Sequence, residues 1–587
     1  MRATAKLVRP ANLARAVENI DVARVFQEVA DLLEIQGANP FRIRAYRNAA
    51  RTVETLSTPV ATLICRDKAL EQLPGIGADL AGKIQQIVKT GKLGLLTQLT
   101  RRTPKTLVQL MHVPGLGPKR AGLLHKKLHV KTIADLEKAL RAGKLRRVPG
   151  FKETLEARIL KGIAERKAHE GRVGLAVADA YVPSLVAYLE KTPGITRLDV
   201  AGSYRRRQET VGDIDILVAS SRGAAAGKRF VSYPDVQQVL AEGPTRCSIV
   251  LRSGLQVDLR VVPAASFGAA LHYFTGSKPH NIAVRTFGVK HGLKISEYGV
   301  FRNRRRIAGR EEAEVFASVG LPWIPPELRE NRGELEAARA GTLPTLVHVD
   351  NLKGDVQMHT TYTDGHHDIA EMAHAAAELG YQYIAITDHT KSVRIAGGLD
   401  RRDFLRQFRD IDRVQKIIKH LTILKGAEVD ILEDGDLDLD EETLKELDVV
   451  VVAVHSKLSM PQAAMTERIL RALEHRRVQI LGHPTGRLIG KREPSSLDMD
   501  AIVSAAVSQG VMLEINAQPD RLDLNDIYIR MAHEAGALLV INSDAHRTEE
   551  LKCLRYGVDQ ARRGWCEPRH IANTRNLPDF MKLLRRA

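Results

Sequence analysis

Two aspartates at i and i+2, Asp213 and Asp215 in Asp213-Ile214-Asp215-Ile216-Leu217, come shortly after Gly202-Ser203-Tyr204-Arg205-Arg206. On a strand, alternate side chains share a face, so both carboxylates project together while Ile214 and Ile216 point into the core. Such close like charges repel unless cations sit between them, and Mg²⁺ suits a few carboxylates plus substrate phosphate oxygens. Asp258, in Gln256-Val257-Asp258-Leu259, lies on another predicted strand with the same alternation. It supplies the third acid of a two-metal site, near the proton leaving an attacking hydroxyl. Gly202 and Ser203 offer backbone donors and a hydroxyl to a triphosphate, and Arg206 offers charge for the developing pyrophosphate. A bare D-x-D could simply line the wet face of a sheet. The Gly-Ser turn upstream shifts the reading to nucleotidyl transfer.

A second set of ligand-type residues recurs where apolar runs end in the last 240 or so residues. Residues 384–386 lead to Asp388-His389, 421–424 to Glu428, and 449–454 to His455. Residues 478–481 lead to His483-Pro484, and 538–541 to Asp544-Ala545-His546. Histidines and acids at successive strand ends converge only if the strands close into a barrel, whose C-terminal rim carries active sites. Cys65, Cys247, Cys553 and Cys566 are scattered with no C-x-x-C pair, so neither a disulfide framework nor a thiolate zinc site is expected. Any metal must rest on nitrogen and oxygen.

A third signal repeats. Leu73-Pro74-Gly75-Ile76-Gly77 before a predicted helix returns as Val113-Pro114-Gly115-Leu116-Gly117, then more weakly as Val148-Pro149-Gly150-Phe151. A Pro-Gly-x-Gly turn opening a helix presents unpaired backbone N–H groups to a phosphate without reading a base. Lys119 follows the second copy, within a 101–150 stretch of 13 basic and 2 acidic residues. The chain's net charge of +18 divides into +23 for residues 1–350 and −5 for 351–587. The basic half is where a polyanion should bind.

The elements that must hold these residues follow from the apolar pattern. Helical spacing over 20–35 and 80–88 predicts a helical N-terminal region. Strands at 197–200, 214–218, 248–251 and 256–262 predict a mixed α+β domain. Pro322, Pro325, Pro326 and a charged helix over 327–339 mark a boundary, and strand then alternates with helix to the end. A hydrophobic content of 44% and charged content of 27% are those of a globular protein. The longest apolar runs are too short to span a bilayer, and residues 1–13 are basic with no apolar core behind them. A cytoplasmic protein without membrane partners is the expectation.

The first 330 or so residues resemble the family X DNA polymerases, on Gly202, Ser203, Arg205, Arg206, Asp213, Asp215 and Asp258. The resemblance implies a polymerase with a lyase-like helical domain, fingers, palm and thumb. Tyr273-Phe274-Thr275-Gly276-Ser277 looks like the family's sugar-sensing turn, in which Tyr273 and Phe274 crowd the 2′ position. Asn281 and Arg285 match residues touching the incoming nucleotide or the template minor groove. The paired turns resemble helix-hairpin-helix motifs, implying DNA contacts at Gly75, Gly77, Gly115 and Gly117. Lys83 matches the family's Schiff-base lysine, and Arg42, Tyr46 and Arg47 the groups around a 5′-phosphate. This sequence departs at Arg207, where many members have glycine, at Lys278, which replaces an acid and could hold a triphosphate before the template is read, and at Asp79, an acid that would keep Lys83 charged.

Residues 351–587 resemble the PHP phosphoesterases, a distorted (β/α) barrel, on Gly354-Asp355-Val356-Gln357-Met358-His359, Thr363-Asp364-Gly365 and the later strand ends. The resemblance implies a Mn²⁺ or Zn²⁺ cluster on His359, Asp364, His389, Glu428, His455, His483, Asp544 and His546, with water activated for phosphoester hydrolysis. The family's opening H-x-H reads Gln357-x-His359 here, and an amide binds such metals poorly.

The expected organisation is a lyase-like helix-hairpin-helix domain at 1–95, fingers-like helices at 96–170, palm at 171–262 and thumb at 263–328, then a linker at 329–350 and the PHP barrel at 351–587. The expected function is filling of short gaps in gapped or nicked DNA with dNTPs during repair. The barrel is expected to give a 3′-5′ exonuclease or 3′-end processing activity, or to be weak or structural because of Gln357. A nucleotidyltransferase acting on something other than DNA shares Gly-Ser and D-x-D, but the paired turns speak against it.

Overall fold

A computed structural model of the 587-residue chain describes residues 19–54, 60–64, 70–73, 75–104, 106–111, 113, 116–152, 155–156, 159–160, 163 and 172–584. The basic 1–13 segment, Cys65, Pro74, Pro114 and Gly115 lie outside the described residues. The chain forms two units, Met1–Glu170 and Gly171–Ala587.

The first unit is helical. Asn19–Ile35 and Pro40–Glu54 pack through Val22, Phe26, Val29, Leu33, Tyr46 and Val53, an i, i+3, i+4 apolar stripe on each helix, against Ile84 and Ile87 of Ala78–Thr90. A separate core gathers Leu116, Ala121 and Leu124 around Leu136, Leu145 and Phe151. Among the described motif glycines, Gly75 has φ +74, a left-handed value that favours glycine, and Gly77 and Gly117 are extended N-caps of Ala78–Thr90 and Pro118–Leu128. Neither helix start has a side-chain cap, so no capping side chain takes its first N–H groups.

The second unit opens with a five-stranded sheet whose strands are β1 (Ile195–Val200), β2 (Asp213–Ser220), β3 (Val236–Glu242), β4 (Arg246–Leu251) and β5 (Gln256–Val262). Their order is β1-β2-β5-β4-β3, with β2 and β5 parallel and the other pairings antiparallel. Leu175–Glu190 and Gly223–Val231 cover the apolar face through Leu185, Leu189 and Phe230. Phe267–Thr275 and Lys278–Lys290 then lead to a three-stranded antiparallel sheet of β6 (Leu293–Ser296), β7 (Gly299–Arg302) and β8 (Arg305–Ala308).

One expectation is corrected next. The charged helix over 327–339 is instead a 3₁₀ turn, Pro326–Leu328, and a separate short helix, Glu334–Ala340. Asn331 at φ +57 and Gly333 at φ +100 break it, since left-handed residues cannot continue a right-handed helix. In the 329–350 segment, expected as a linker, Leu335, Ala338 and Leu346 are buried in one apolar core with Leu293, Ile295 and Val300 of the three-stranded sheet.

Seven parallel strands follow in sequence order: β9 (Gly354–Asp355), β10 (Tyr383–Ile386), β11 (Thr422–Asp430), β12 (Val449–Ala453), β13 (Ile480–Leu481), β14 (Met512–Asn516) and β15 (Leu539–Asn542). A parallel bridge between Met358 and Ala545 brings the first and last strands together, closing the ring just beyond their ends. The expected strand at 478–481 is only two residues long, and Glu428 lies inside β11 rather than beyond it. Leu522 and Tyr556 of the barrel half, 1% and 4% exposed, are buried within the palm's own apolar core. Among the described residues no helix is long and apolar enough to cross a membrane, and Cys247, Cys553 and Cys566 are unpaired.

Candidate active sites

The parallel register of β2 and β5 sets Asp213 opposite Gln256 and Asp215 opposite Asp258. Paired residues on neighbouring strands lie about 4.8 Å apart, so the three carboxylates share one end and one face of the sheet. Asp258 is buried and accepts from Arg246 NH2 and Gln256 Nε2, each at 3.1 Å. Burial, reinforced by the charges of Asp213 and Asp258, pushes Asp215 up to about 7. Oxygen donors of this kind suit a hard divalent cation, but among the described residues these three do not form a group with all ligand atoms within 4.8 Å of one another, and Asp258 is turned to Arg246 and Gln256. Gly202 makes the close approach possible: at φ +67 it lies so near Asp215 that a Cβ would come within 2.6 Å of Oδ2, while Ala201 N–H donates to the Asp215 carbonyl at 2.7 Å.

The flanking arginines are engaged elsewhere. Arg205 NH1 and NH2 grip Glu312 at 2.7 and 3.0 Å. Arg206 donates through Nε to Glu330 at 3.0 Å and through NH1 to the Thr275 carbonyl at 2.5 Å. Arg207, at φ +53, places a two-pronged fork on Asp179 at 3.0 Å and Nε on Asp559 at 2.8 Å. Tyr273 and Phe274 meet edge to face with ring centres 5.2 Å apart, and Asn281 Nδ2 donates to the Tyr273 carbonyl at 2.7 Å. Ser277 caps the helix that begins with Lys278, and Lys278 and Arg285 are exposed along it.

In the helical unit Lys83 Nζ is ion-paired with Asp79 and lies 5.5 Å from the centre of the Tyr46 ring. Burial would lower the lysine's pKa, but its hydrogen bonds and nearby charges, Asp79 first, outweigh that and hold it raised. Arg47 is taken by Glu34 and Asp31, Arg42 is exposed, and Lys119 is exposed in the first turn after Gly117.

At the barrel rim His359 Nε2 lies 3.1 Å from Asp544 and 3.3 Å from Glu428. Glu428 also faces His389 at 3.2 Å, His455 at 3.2 Å and His483 at 2.8 Å. Asp364 faces His389 at 3.7 Å and His546 at 3.5 Å. All eight expected ligands therefore meet. Seven of them form three overlapping groups with ligand atoms within 4.8 Å: His359, Asp364, His389 and His546; His389, Glu428 and His455; and His359, Glu428 and Asp544. Both ring nitrogens of His359 are buried and neither makes an aligned hydrogen bond, although Nε2 lies beside both carboxylates. Imidazole and carboxylate donors in this arrangement fit Mn²⁺ or Zn²⁺. Burial drives His389 down to about 3, whereas at His455 the charges of Glu428 and Asp430 overcome burial and hold it near 9. Gln357 is wholly buried on the extended run to His359, and neither its amide oxygen nor its nitrogen has a partner.

Sequence reasoning missed the layer beneath. Asp388 accepts from Thr360 N at 2.9 Å, Thr360 Oγ1 and Gln407 Nε2 at 2.6 Å, and Thr363, bracing the turn that carries His359 and Asp364. Asp430 accepts from His455 N at 3.1 Å and faces its Nδ1 at 3.2 Å. Glu514 accepts from His483 N at 2.6 Å and Asn542 at 2.8 Å, while Asn516 donates to Asp544 at 3.0 Å. Ligand orientation by such partners is what metal sites require. The available signal was Glu514 and Asn516 at i and i+2 in an apolar run.

The comparisons with known proteins agree with this architecture. Residues 17–93 match a helix-hairpin-helix domain, 107–165 a SAM-like helix-hairpin-helix tandem, 177–244 the DNA polymerase beta palm, 270–330 the DNA polymerase beta thumb, and 355–518 the PHP domain. The chain belongs to the family X DNA polymerases that carry a C-terminal PHP domain. DNA polymerase/3′-5′ exonuclease PolX of Bacillus subtilis (strain 168) is 36% identical over 570 residues, which is 96% of this chain and 99% of the relative. DNA polymerase lambda of Rattus norvegicus is 24% identical over 53% of this chain and 56% of its own length. A probable phosphatase of Thermoanaerobacter sp. (strain X514) is 30% identical over 33% of this chain and 78% of its own length.

Proposed function

We propose that this chain fills short gaps in DNA by template-directed nucleotidyl transfer at Asp213, Asp215 and Asp258, and processes the 3′ end at the barrel rim. The observation that carries the reading is the pairing of Asp215 with Asp258 beside Gly202. Mg²⁺ bound there would activate the primer 3′-hydroxyl and neutralise the triphosphate. Asp258 stands where the hydroxyl's proton departs, Gly202 and Ser203 bind phosphate oxygens, and Arg206 meets the pyrophosphate as charge builds. Tyr273 and Phe274, ahead of the Gly276 turn, exclude a ribose 2′-hydroxyl, Asn281 and Arg285 contact the nucleotide and template, and Lys278 holds a triphosphate. Gapped or nicked DNA rests on Gly75, Gly77, Gly115, Gly117 and Lys119, with Arg42, Tyr46 and Arg47 toward a 5′-phosphate.

At the barrel, Mn²⁺ or Zn²⁺ held by His359, Asp364, His389, Glu428, His455, His483, Asp544 and His546 would supply hydroxide for 3′-5′ exonucleolytic cleavage. The unpartnered Gln357 amide supports a second reading, a partly filled cluster of low hydrolytic activity. Extension of a gapped primer by wild type and by Asp213→Ala/Asp215→Ala, with Mg²⁺ and Mn²⁺ compared, tests the first site. Equal extension by the double variant overturns it. Digestion of a single-stranded 3′ end by wild type and Asp544→Ala, with metal content measured, tests the second. Asp544→Ala should abolish cleavage and spare extension.

A further inference from the structure

The barrel helix Leu554–Arg563 ends on the polymerase loop. Arg563, 4% exposed, donates through NH1 to the backbone carbonyl of Arg206 at 2.8 Å and to Glu330 Oε1 at 3.1 Å, and through NH2 to Asp526 at 2.6 Å. The same Glu330 oxygen accepts from Arg206 Nε at 3.0 Å and Gln208 at 2.5 Å. An arginine of the barrel and the arginine assigned above to the triphosphate thus share one carboxylate oxygen. One turn earlier on the same helix, Asp559 takes Arg207, so two successive loop residues are fixed from the barrel side.

The charges make this more than a fastening. A lone Glu330 would cancel Arg206 and compete with a triphosphate for it. Counting Arg332, which also pairs with Asp526 at 2.9 Å, the cluster holds three arginines besides two acids if Arg206 is included. It is net positive only because Arg563 belongs to it. Removing Arg563 would leave the two acids balanced by Arg206 and Arg332, and would take away the donor that holds the Arg206 carbonyl. We propose that Arg563 is a positioning residue for nucleotide binding: the barrel, through this helix end, sets the orientation and effective charge of Arg206. The inference rests on the assignment of Arg206 to the triphosphate.

Steady-state extension of a gapped primer by the full chain, with dNTP varied, tests it. Arg563→Ala should raise the KM for dNTP about tenfold, the scale of one lost charge-assisted bond, with kcat changing less. Arg563→Lys keeps a buried charge but lacks the fork that spans three acceptors, and should give a smaller rise; it carries the test if Arg563→Ala fails to fold on thermal melting. In an Arg206→Ala background neither change should raise KM further. An unchanged KM in the folded Arg563 variants overturns the coupling, and so does an equal rise with and without Arg206. If Arg206→Ala itself leaves KM unchanged while extension persists, the assignment of Arg206 falls and the coupling falls with it. If Arg206→Ala raises KM and the Arg563 variants do not, only the coupling falls.

Discussion

Gly202→Ala tests the close approach at the heart of the polymerase site. The added methyl would lie 2.6 Å from Asp215 Oδ2, roughly 0.7 Å inside an ordinary carbon–oxygen approach. The neighbour cannot simply swing away, because Asp215 sits between Asp213 and Asp258 and its carbonyl is held by Ala201 N–H. The carboxylate must shift by several tenths of an ångström, or the loop must lift off it. Misplacement of a reacting group by about 1 Å can cost on the order of 10²-fold in rate, so a fall in kcat of roughly 30- to 100-fold is expected. The left-handed φ of +67 adds a separate folding cost of about 1–2 kcal/mol. Single-turnover extension of a gapped primer measures the first effect and urea unfolding the second. A folded Gly202→Ala protein that extends at the wild-type rate would refute the reasoning, because the carboxylate would then have no need of its position.

Gln357→His should bring a ligand into the cluster and raise both the metal content of purified protein and the rate of 3′-end digestion; unchanged metal content would show that the amide is not aimed at the ions. With Lys83 as the Schiff-base lysine that the resemblance implies, its pairing with Asp79 predicts that trapping of a borohydride adduct with abasic DNA rises as pH increases, and that Asp79→Ala moves that rise to lower pH. Coincident profiles for the two proteins would count against the pairing. Arg207→Gly sets two effects against each other: relief of a left-handed residue is worth about 1–2 kcal/mol, while stranding a buried carboxylate partner costs about 3–5 kcal/mol. Asp179 loses its two-pronged partner and Asp559 its Nε donor, so urea unfolding should show net destabilisation of roughly 1–4 kcal/mol; a stabilised variant would contradict the ordering.

Asp213 and Asp215 were legible in the sequence because i, i+2 spacing on a strand is local. His389, His455, His483 and Asp544 were legible because each ends an apolar run. Asp258 needed only one more strand, and the β2–β5 register supplies what spacing could not. The partners of Arg206 were not legible, since Glu330 and Arg563 lie 124 and 357 residues away and nothing local marks them. Asp388 and Asp430 look like further strand-end acids and Glu514 lies within an apolar run, and their acceptance of backbone N–H groups separates braces from ligands. The helix over 327–339 was misread because composition favoured it while Asn331 and Gly333 decided the backbone.

Leu522 and Tyr556 sit inside the palm's apolar core although they belong to the barrel half of the chain. Cutting the gene after the thumb would therefore expose the part of that core which these two side chains cover. It would unplug that core and leave a greasy socket open to water, so the shortened product should clump on expression unless the missing half is supplied alongside it.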